Sequence, residues 1–315
     1  MRVVVVGAGA IGTVLAGSLA VAGHSVTLVV RPAYTERIRS DGLRIEDGSG
    51  TTTVRVHVEE RPPPEGEDLA ILAVKTFDLA DAARSLRSVR PLPVLLPQNG
   101  LGIERTADAA LRDAGWPEPR RYLVRAVNSV PATALAPGAA RWGGHGEILL
   151  PAPGEAGEAE AQVAPFHGLL TSAGLRVRLA SGFARELWRK ALVNAAINPV
   201  TAVRGVPNGE LLRAPYRTES LALLFEGARA AARAGFVFAD AEIEADWERV
   251  VRSTATNRSS MLQDLARGRP TEIDAISGEI LRTAAAHGLD LPATRAIVAE
   301  VAARVARSPP RAQPS

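Results

Sequence analysis

The feature that most constrains the fold stands at the start of the chain. Residues 2–6, RVVVV, are a short β-branched run, and Gly7-Ala8-Gly9-Ala10-Ile11-Gly12 follows with no spacer. An apolar helical pattern then passes through Val14, Leu15, Leu19 and Val21 to Gly23, and residues 24–30 read as a second strand. Three glycines at this spacing, between a strand and a helix, have a specific physical use. Gly7 allows a tight turn, Gly9 lets backbone approach a pyrophosphate, and Gly12 lets the helix lie close to the strand, its N-terminus facing the negative charge. A dinucleotide site is expected here.

The end of the second strand selects the dinucleotide. A site for NAD places Asp or Glu there to bond the ribose 2′-hydroxyl. This chain has Val29-Val30-Arg31-Pro32 instead. A cation at that place suits a 2′-phosphate, so NADPH/NADP+ is the expected cofactor. The alternative is that Arg31 is a surface residue, and Glu36 is the acid to watch.

Farther on, residues 42–58 read as turns and short β segments, and 61–67 (RPPPEGE) as a proline-rich loop. Residues 68–74 form a strand ending at Lys75, 77–89 a helix, and 93–96 a strand ending in Gln98-Asn99-Gly100. Lys75 and Asn99 thus stand at the carboxyl ends of successive strands, where open α/β sheets place their ligand crevice. Residues 103–114 read as a helix. Segments 121–130, 140–142 and 147–150 read as strands that extend the sheet. An Ala-rich helix to residue 173 and a strand over 175–179 close the domain. The boundary is expected near 180–182, giving a cofactor domain over 1–180 and an all-helical domain over 181–307. Residues 308–315, rich in proline, are expected as a disordered tail.

The helical part opens on residues 186–203, ELWRKALVNAAINPVTAV. Trp188, Leu192, Ala195 and Ala196 form one apolar face, and Leu187, Ala191, Val193 and Ile197 carry apolar character round the rest. Lys190, Asn194 and Asn198 stand at i, i+4 and i+8, one polar stripe on an otherwise apolar helix. A buried stripe of this kind is costly unless each group finds a partner. Of the 37 Lys plus Arg, only Lys75 and Lys190 are lysine, and two of the chain's few asparagines share this stripe. Where ordinary cations are written as Arg, a retained Lys points to a task Arg cannot do, above all proton transfer near neutral pH.

Composition removes other classes. There is no cysteine, hence no disulfide framework, thiolate nucleophile or cysteine metal site. No apolar run is long enough to span a membrane, and the segment before the glycine loop is too short for a signal peptide, so a cytoplasmic location is expected. The net charge is only +3, with arginines scattered and no aromatic–basic platform, so no nucleic-acid partner is expected. His24, His57, His145, His167 and His287 lie outside the motifs, and no histidine base or metal site is expected.

The chain resembles the ketopantoate reductases (2-dehydropantoate 2-reductases) over nearly its whole length. GAGAIG at 7–12, AVK at 73–75, QNG at 98–100, ELWRKALVNAAINPVTA at 186–202, PNGEL at 207–211 and NRSSMLQDLARGRPTEID at 257–274 stand in that family's order and spacing. The segment 125–146 departs from the pattern except around Pro137-Gly138. The resemblance implies a Rossmann-type α/β N-terminal domain and an all-α C-terminal domain, with the active site in the cleft between them. It implies a reduction of 2-dehydropantoate to (R)-pantoate by NADPH, in pantothenate and coenzyme A biosynthesis.

In that reading Lys190 is the general acid. Asn99, Asn194, Asn198, Asn208, Asn257 and Ser260 bind substrate, and Gly7 to Gly12, Arg31, Lys75, Asn99, Ala134 and Glu272 bind the cofactor. Helix capping for Asn257 and Ser260, and a surface ion pair for Glu272, are the plainer alternatives. The expected partner is a small 2-oxo acid, with the chain a monomer or homodimer. Two other readings remain: a reductase of a different branched 2-oxo acid, and a non-catalytic NADP(H)-binding sensor.

Overall fold

The computed structural model describes residues 1–144 and 146–307; His145 and the expected tail lie outside them. Two compact units emerge. One comprises residues 1–98 and 103–183, and the other residues 99–102 together with the chain from Ala184 onward.

In the first unit, six parallel strands form a sheet in the spatial order His57–Glu59, Ser25–Val29, Arg2–Val6, Leu69–Leu72, Val94–Leu96, Leu123–Arg125. Numbered along the chain, this is the 3-2-1-4-5-6 order of doubly wound dinucleotide folds. Val3, Val4 and Val5 lie at its centre with no exposed surface. That burial on both faces explains why the first strand reads as a continuous apolar run and not as an alternation. The chain reverses direction of winding between Arg2–Val6 and Leu69–Leu72, so their carboxyl ends flank the switch point where such folds bind ligands.

Helix Ala10–Val21 is buried from Gly12 through Leu19. A one-sided sheet contact would bury only a stripe. Here a second sheet covers the other side: Ala132–Ala136, Ala139–Trp142, Leu43–Asp47 and Gly50–Val54, in that order. A Cβ at Gly17 would stand 2.4 Å from Ile45 Cδ1, so that glycine permits the close approach of helix and second sheet.

Segments 121–130, 140–142 and 147–150 were expected to extend the main sheet. Only Leu123–Arg125 does so. Ala139–Trp142 joins the sheet over the helix, and Val127–Asn128 joins Ile148–Pro151 and Val177–Ala180 in a third sheet. The helix expected at 77–89 is α-helical only over Leu79–Arg84, between two 3₁₀ turns.

The second unit is helical: Phe183–Arg204, Tyr216–Arg233, Asp240–Ser253, Ser260–Ala266, Glu279–Ala286 and Pro292–Arg307. Their core gathers Leu192, Ala196, Val200, Leu224, Trp247, Ile280 and Val301. Polar ties across it are specific. Trp247 Nε1 donates to Ser220 Oγ at 2.9 Å, and Ser220 donates to the Ala196 carbonyl at 2.8 Å. Glu226, buried on Tyr216–Arg233, accepts from the Ala293 and Thr294 amides at 3.0 and 2.8 Å and from the Thr294 hydroxyl at 2.7 Å. It therefore caps the N-terminus of the last helix from another element, where the helix has no acid of its own in its first turn. No helix among the described residues is long and apolar enough to cross a membrane.

Glu226→Ala should lower the unfolding free energy by about 2–3 kcal/mol, since it strands buried amides and a hydroxyl. A urea midpoint unchanged within error would contradict this cap.

Candidate active site

The glycine turn has the geometry its spacing implies. Gly7 sits at φ +108°, its amide donates to Val29 O at 2.9 Å, and a Cβ there would stand 2.8 Å from Val74 Cγ1 and 2.9 Å from Ala73 O. A Cβ at Gly12 would fall 1.9 Å from the Gly7 carbonyl oxygen, so no other residue fits without moving backbone. Gly9 differs: nothing lies within 4 Å of where its Cβ would be. Space over Gly9 and tight packing at Gly7 and Gly12 make a backbone cradle open on one side. The helix it opens has no side-chain cap and no acid in its first turn, so its positive end is left for an anion. The residues present therefore fit the pyrophosphate of a dinucleotide.

Two further segments meet this turn. The Gly138 amide donates to Ala8 O at 3.3 Å, which brings the Pro137-Gly138 hairpin onto the glycine loop. Ala134 lies on the strand leading into that hairpin, opposite Ala140 and next to a shift in register. Gln98, buried at the end of Val94–Leu96, donates to the carbonyls of Leu72 and Val74 and so joins the carboxyl ends of two neighbouring strands. Lys75 directly follows this tie.

Arg31 precedes helix Pro32–Asp41 and pairs with Asp78 at 2.8 Å. Glu36 bonds Arg39 at 2.9 Å, one turn along the same helix.

In the second unit, Lys190, Asn194 and Asn198 lie on the single helix Phe183–Arg204, as their spacing requires. Ala191, Leu192, Val193, Ala195, Ala196, Ile197 and Val200 beside them are all buried. Lys190 and Asn194 are half-buried and Asn198 is 7% exposed, so the stripe grades from accessible to enclosed. The helix is held rigidly at both ends of this stripe. Arg189 bonds Asp246 and Glu242, and Arg185 bonds Glu242 at 2.9 Å. Burial works against the charge on Arg189, but its bonds to Asp246 and Glu242 outweigh that and raise its pKa. The Arg185 hydrogen bond in turn holds the Glu242 carboxyl below its usual range, against a smaller opposing effect of burial. At the other end the Thr201 hydroxyl donates to Ser259 Oγ at 2.7 Å.

Ser259 also accepts the Leu262 amide at 3.1 Å, which makes it the N-cap of Ser260–Ala266. The capping role considered for Ser260 and Asn257 belongs to this neighbour, and both of those residues are exposed. The Ser-Ser pair shows no sequence pattern that tells which serine is the cap; the Leu262 amide bond to Ser259 decides it. The Asn208 amide donates to Asn257 O at 3.0 Å, so those two residues are brought together. The Asn208 side chain is 7% exposed and donates to Thr254 Oγ1 at 2.9 Å, while its Oδ1 is buried with no hydrogen-bond partner.

Asn99 and Glu272 also meet, with Asn99 Nδ2 donating to Glu272 Oε2 at 3.5 Å. Glu272 is 6% exposed, which is incompatible with a surface ion pair. The loop that carries Asn99 is seated on the π-helical turn Asp274–Gly278. There Leu101 donates its amide to Ala275 O at 2.9 Å, and a Cβ at Gly100 would stand 2.3 Å from that oxygen. Gly100, at φ +93°, is thus required by contact as well as by conformation. No group of three or more His, Asp or Glu among the described residues is arranged to hold a metal ion.

Residues 3–155 match the family model described as ketopantoate reductase PanE/ApbA, and residues 183–305 match ketopantoate reductase PanE/ApbA C terminal. A 2-dehydropantoate 2-reductase of Archaeoglobus fulgidus is 33% identical over 94% of this chain and 95% of its own length. Its counterpart from Escherichia coli O157:H7 is 30% identical over 93% and 91%. Among solved structures, a PanE/ApbA family ketopantoate reductase from Ralstonia eutropha superposes with a TM-score of 0.85 at 29% identity, covering 98% of this chain and 99% of that one. D-mandelate dehydrogenase with NADH and anilino(oxo)acetate shares the fold at a TM-score of 0.88 and 24% identity, covering 97% and 98%.

The two adjacent serines should separate cleanly in stability. Ser259→Ala loses a cap and the Thr201 contact and should cost about 1–2 kcal/mol, whereas Ser260→Ala should stay within about 0.5 kcal/mol of the parent. Equal effects in thermal or urea unfolding would contradict the assignment of the cap.

Proposed function

The chain belongs to the ketopantoate reductase family, and from that premise we propose that it reduces the ketone of 2-dehydropantoate to (R)-pantoate with NADPH, in pantothenate and coenzyme A biosynthesis. It is an oxidoreductase acting on a CH–OH group. The observation that carries the finer reading is the half-buried Lys190, in line with Asn194 and Asn198 on a helix whose flanking residues are buried.

The glycine turn at 7–12 would hold the cofactor pyrophosphate through backbone and the helix N-terminus, Arg31 would take the 2′-phosphate, and Lys75, Ala134, Asn99 and Glu272 are the other residues assigned to the cofactor. When bound, the nicotinamide supplies a hydride to the ketone carbon. Negative charge then grows on the ketone oxygen, and the Lys190 ammonium donates its proton there. A positioned proton donor contributes roughly 10²–10⁴-fold in rate. Asn194 and Asn198, one and two turns along, hold the hydroxyl and carboxylate with uncharged donors and acceptors. Asn257 and Ser260, exposed on their segment, complete the carboxylate contact, with Asn208 beside them. The bonds of Arg189 to Asp246 and Glu242 keep the Lys190 turn in place, which matters because a misplacement of about 1 Å can cost roughly 10² in rate.

Loss of reduced-nicotinamide absorbance with 2-dehydropantoate tests the reaction directly, and a panel of 2-oxo acids ranked by kcat/KM tests the substrate. A better substrate among the other branched acids would displace 2-dehydropantoate, and no turnover with any would leave a binding protein. Lys190→Ala should lower kcat by roughly 10²–10⁴-fold with NADPH affinity nearly unchanged. Near-normal turnover would remove Lys190 from the chemistry. Arg31→Ala should weaken NADPH much more than NADH, and an equal loss for both would refute its contact with the 2′-phosphate.

A further inference from the structure

Arg31 and Asp78 come from opposite sides of the central strand. Arg31 follows Ser25–Val29, and Asp78 ends the turn Thr76–Asp78 that comes after Leu69–Leu72. Both strands pair with Arg2–Val6, the strand from which the glycine turn leaves. The 2.8 Å contact of Arg31 Nη2 with Asp78 Oδ2 therefore spans the carboxyl edge beside that turn. In this fold the ribose of a dinucleotide is read at the end of the second strand.

The pair has no evident structural purpose. Its side chains are 69% and 36% exposed, and ion pairs at such exposure contribute little to stability. Asp78 caps no helix either: its backbone is helical (φ −97°, ψ −3°), carrying the turn Thr76–Asp78 straight into Leu79–Arg84, and its side chain makes no capping bond. The carboxylate is turned to Arg31. Glu36, the other nearby acid in sequence, bonds Arg39.

We propose that Asp78 is a specificity-determining residue that restrains the preference of Arg31 for a 2′-phosphate, so that the site accepts both NADPH and NADH. This rests on the reading of the glycine turn as a dinucleotide site. A 2′-phosphate docking on Arg31 meets the Asp78 charge at short range. A 2′-hydroxyl finds in Asp78 the acceptor that NAD-binding folds usually place at the end of the second strand. Here the acceptor is delivered from a different strand, to a position the arginine can also reach.

The test is titration of the full-length protein with NADPH and with NADH, followed by tryptophan fluorescence, for the parent, Asp78→Asn, Asp78→Ser and Asp78→Glu. The parent should bind both. Asp78→Asn and Asp78→Ser should raise the ratio of Kd for NADH to Kd for NADPH about tenfold, through tighter NADPH and weaker NADH. That change should shrink as salt is added. Asp78→Glu, keeping the charge, should stay near the parental ratio. An unchanged ratio in Asp78→Asn and Asp78→Ser, or equal weakening of both dinucleotides, would overturn the proposal. Failure of the parent to bind either would overturn the dinucleotide reading itself, and the proposal with it.

Discussion

Between Ala191 and Val203 helix Phe183–Arg204 is buried on almost every side, and the rest of the helical unit is arranged to enclose that stretch. Leu192, Ala196 and Val200 have essentially no exposed surface, and Ser220, Asp246, Glu242 and Ser259 all reach the helix from neighbouring elements. Burying a helix this completely leaves few places for polar groups. Lys190, Asn194 and Asn198 occupy one line on it, and their burial increases along that line. An amine in such surroundings is more restricted than one in water, both in orientation and in the partners that can take its proton. Those are the conditions a proton donor needs.

A second constraint shapes the α/β unit. The helix after the first strand must approach that strand closely enough for its N-terminus to face a bound anion, and Gly12 against the Gly7 carbonyl permits it. The same helix is covered on its other side by a sheet that includes Leu43–Asp47 and Ala139–Trp142. The turn before Ala139 then reaches the glycine loop through the Gly138 amide. Packing of the helix and construction of the cofactor cradle are thus one arrangement.

Much of this was legible in the residues. The glycine spacing and its flanking strands implied a parallel sheet with a dinucleotide site, and the i, i+4, i+8 polar stripe implied one buried helix. The second and third sheets were not legible, because strands at 43–47 and 139–142 pair across nearly a hundred residues and β alternation carries no record of its partner. A clue did exist. The first helix carries only small or apolar residues from Gly12 to Leu19, with no charged face, which requires a cover on both sides. The contact of Ser259 with Thr201 and that of Arg31 with Asp78 depend on tertiary proximity alone. The need for Gly100 likewise arises from the Ala275 carbonyl lying against it, which a common Asn-Gly turn dipeptide does not reveal.

The central claim is that one amine, on Lys190, delivers the proton to the reduced ketone. Chemical rescue measures this most directly. The Lys190→Ala protein would be assayed with 2-dehydropantoate and NADPH across increasing concentrations of small primary amines of graded basicity. The account predicts that turnover rises with amine concentration and follows the acidity of the ammonium ion, with Kd for NADPH unaffected. Turnover indifferent to added amine, in a variant that still binds both ligands, would contradict it.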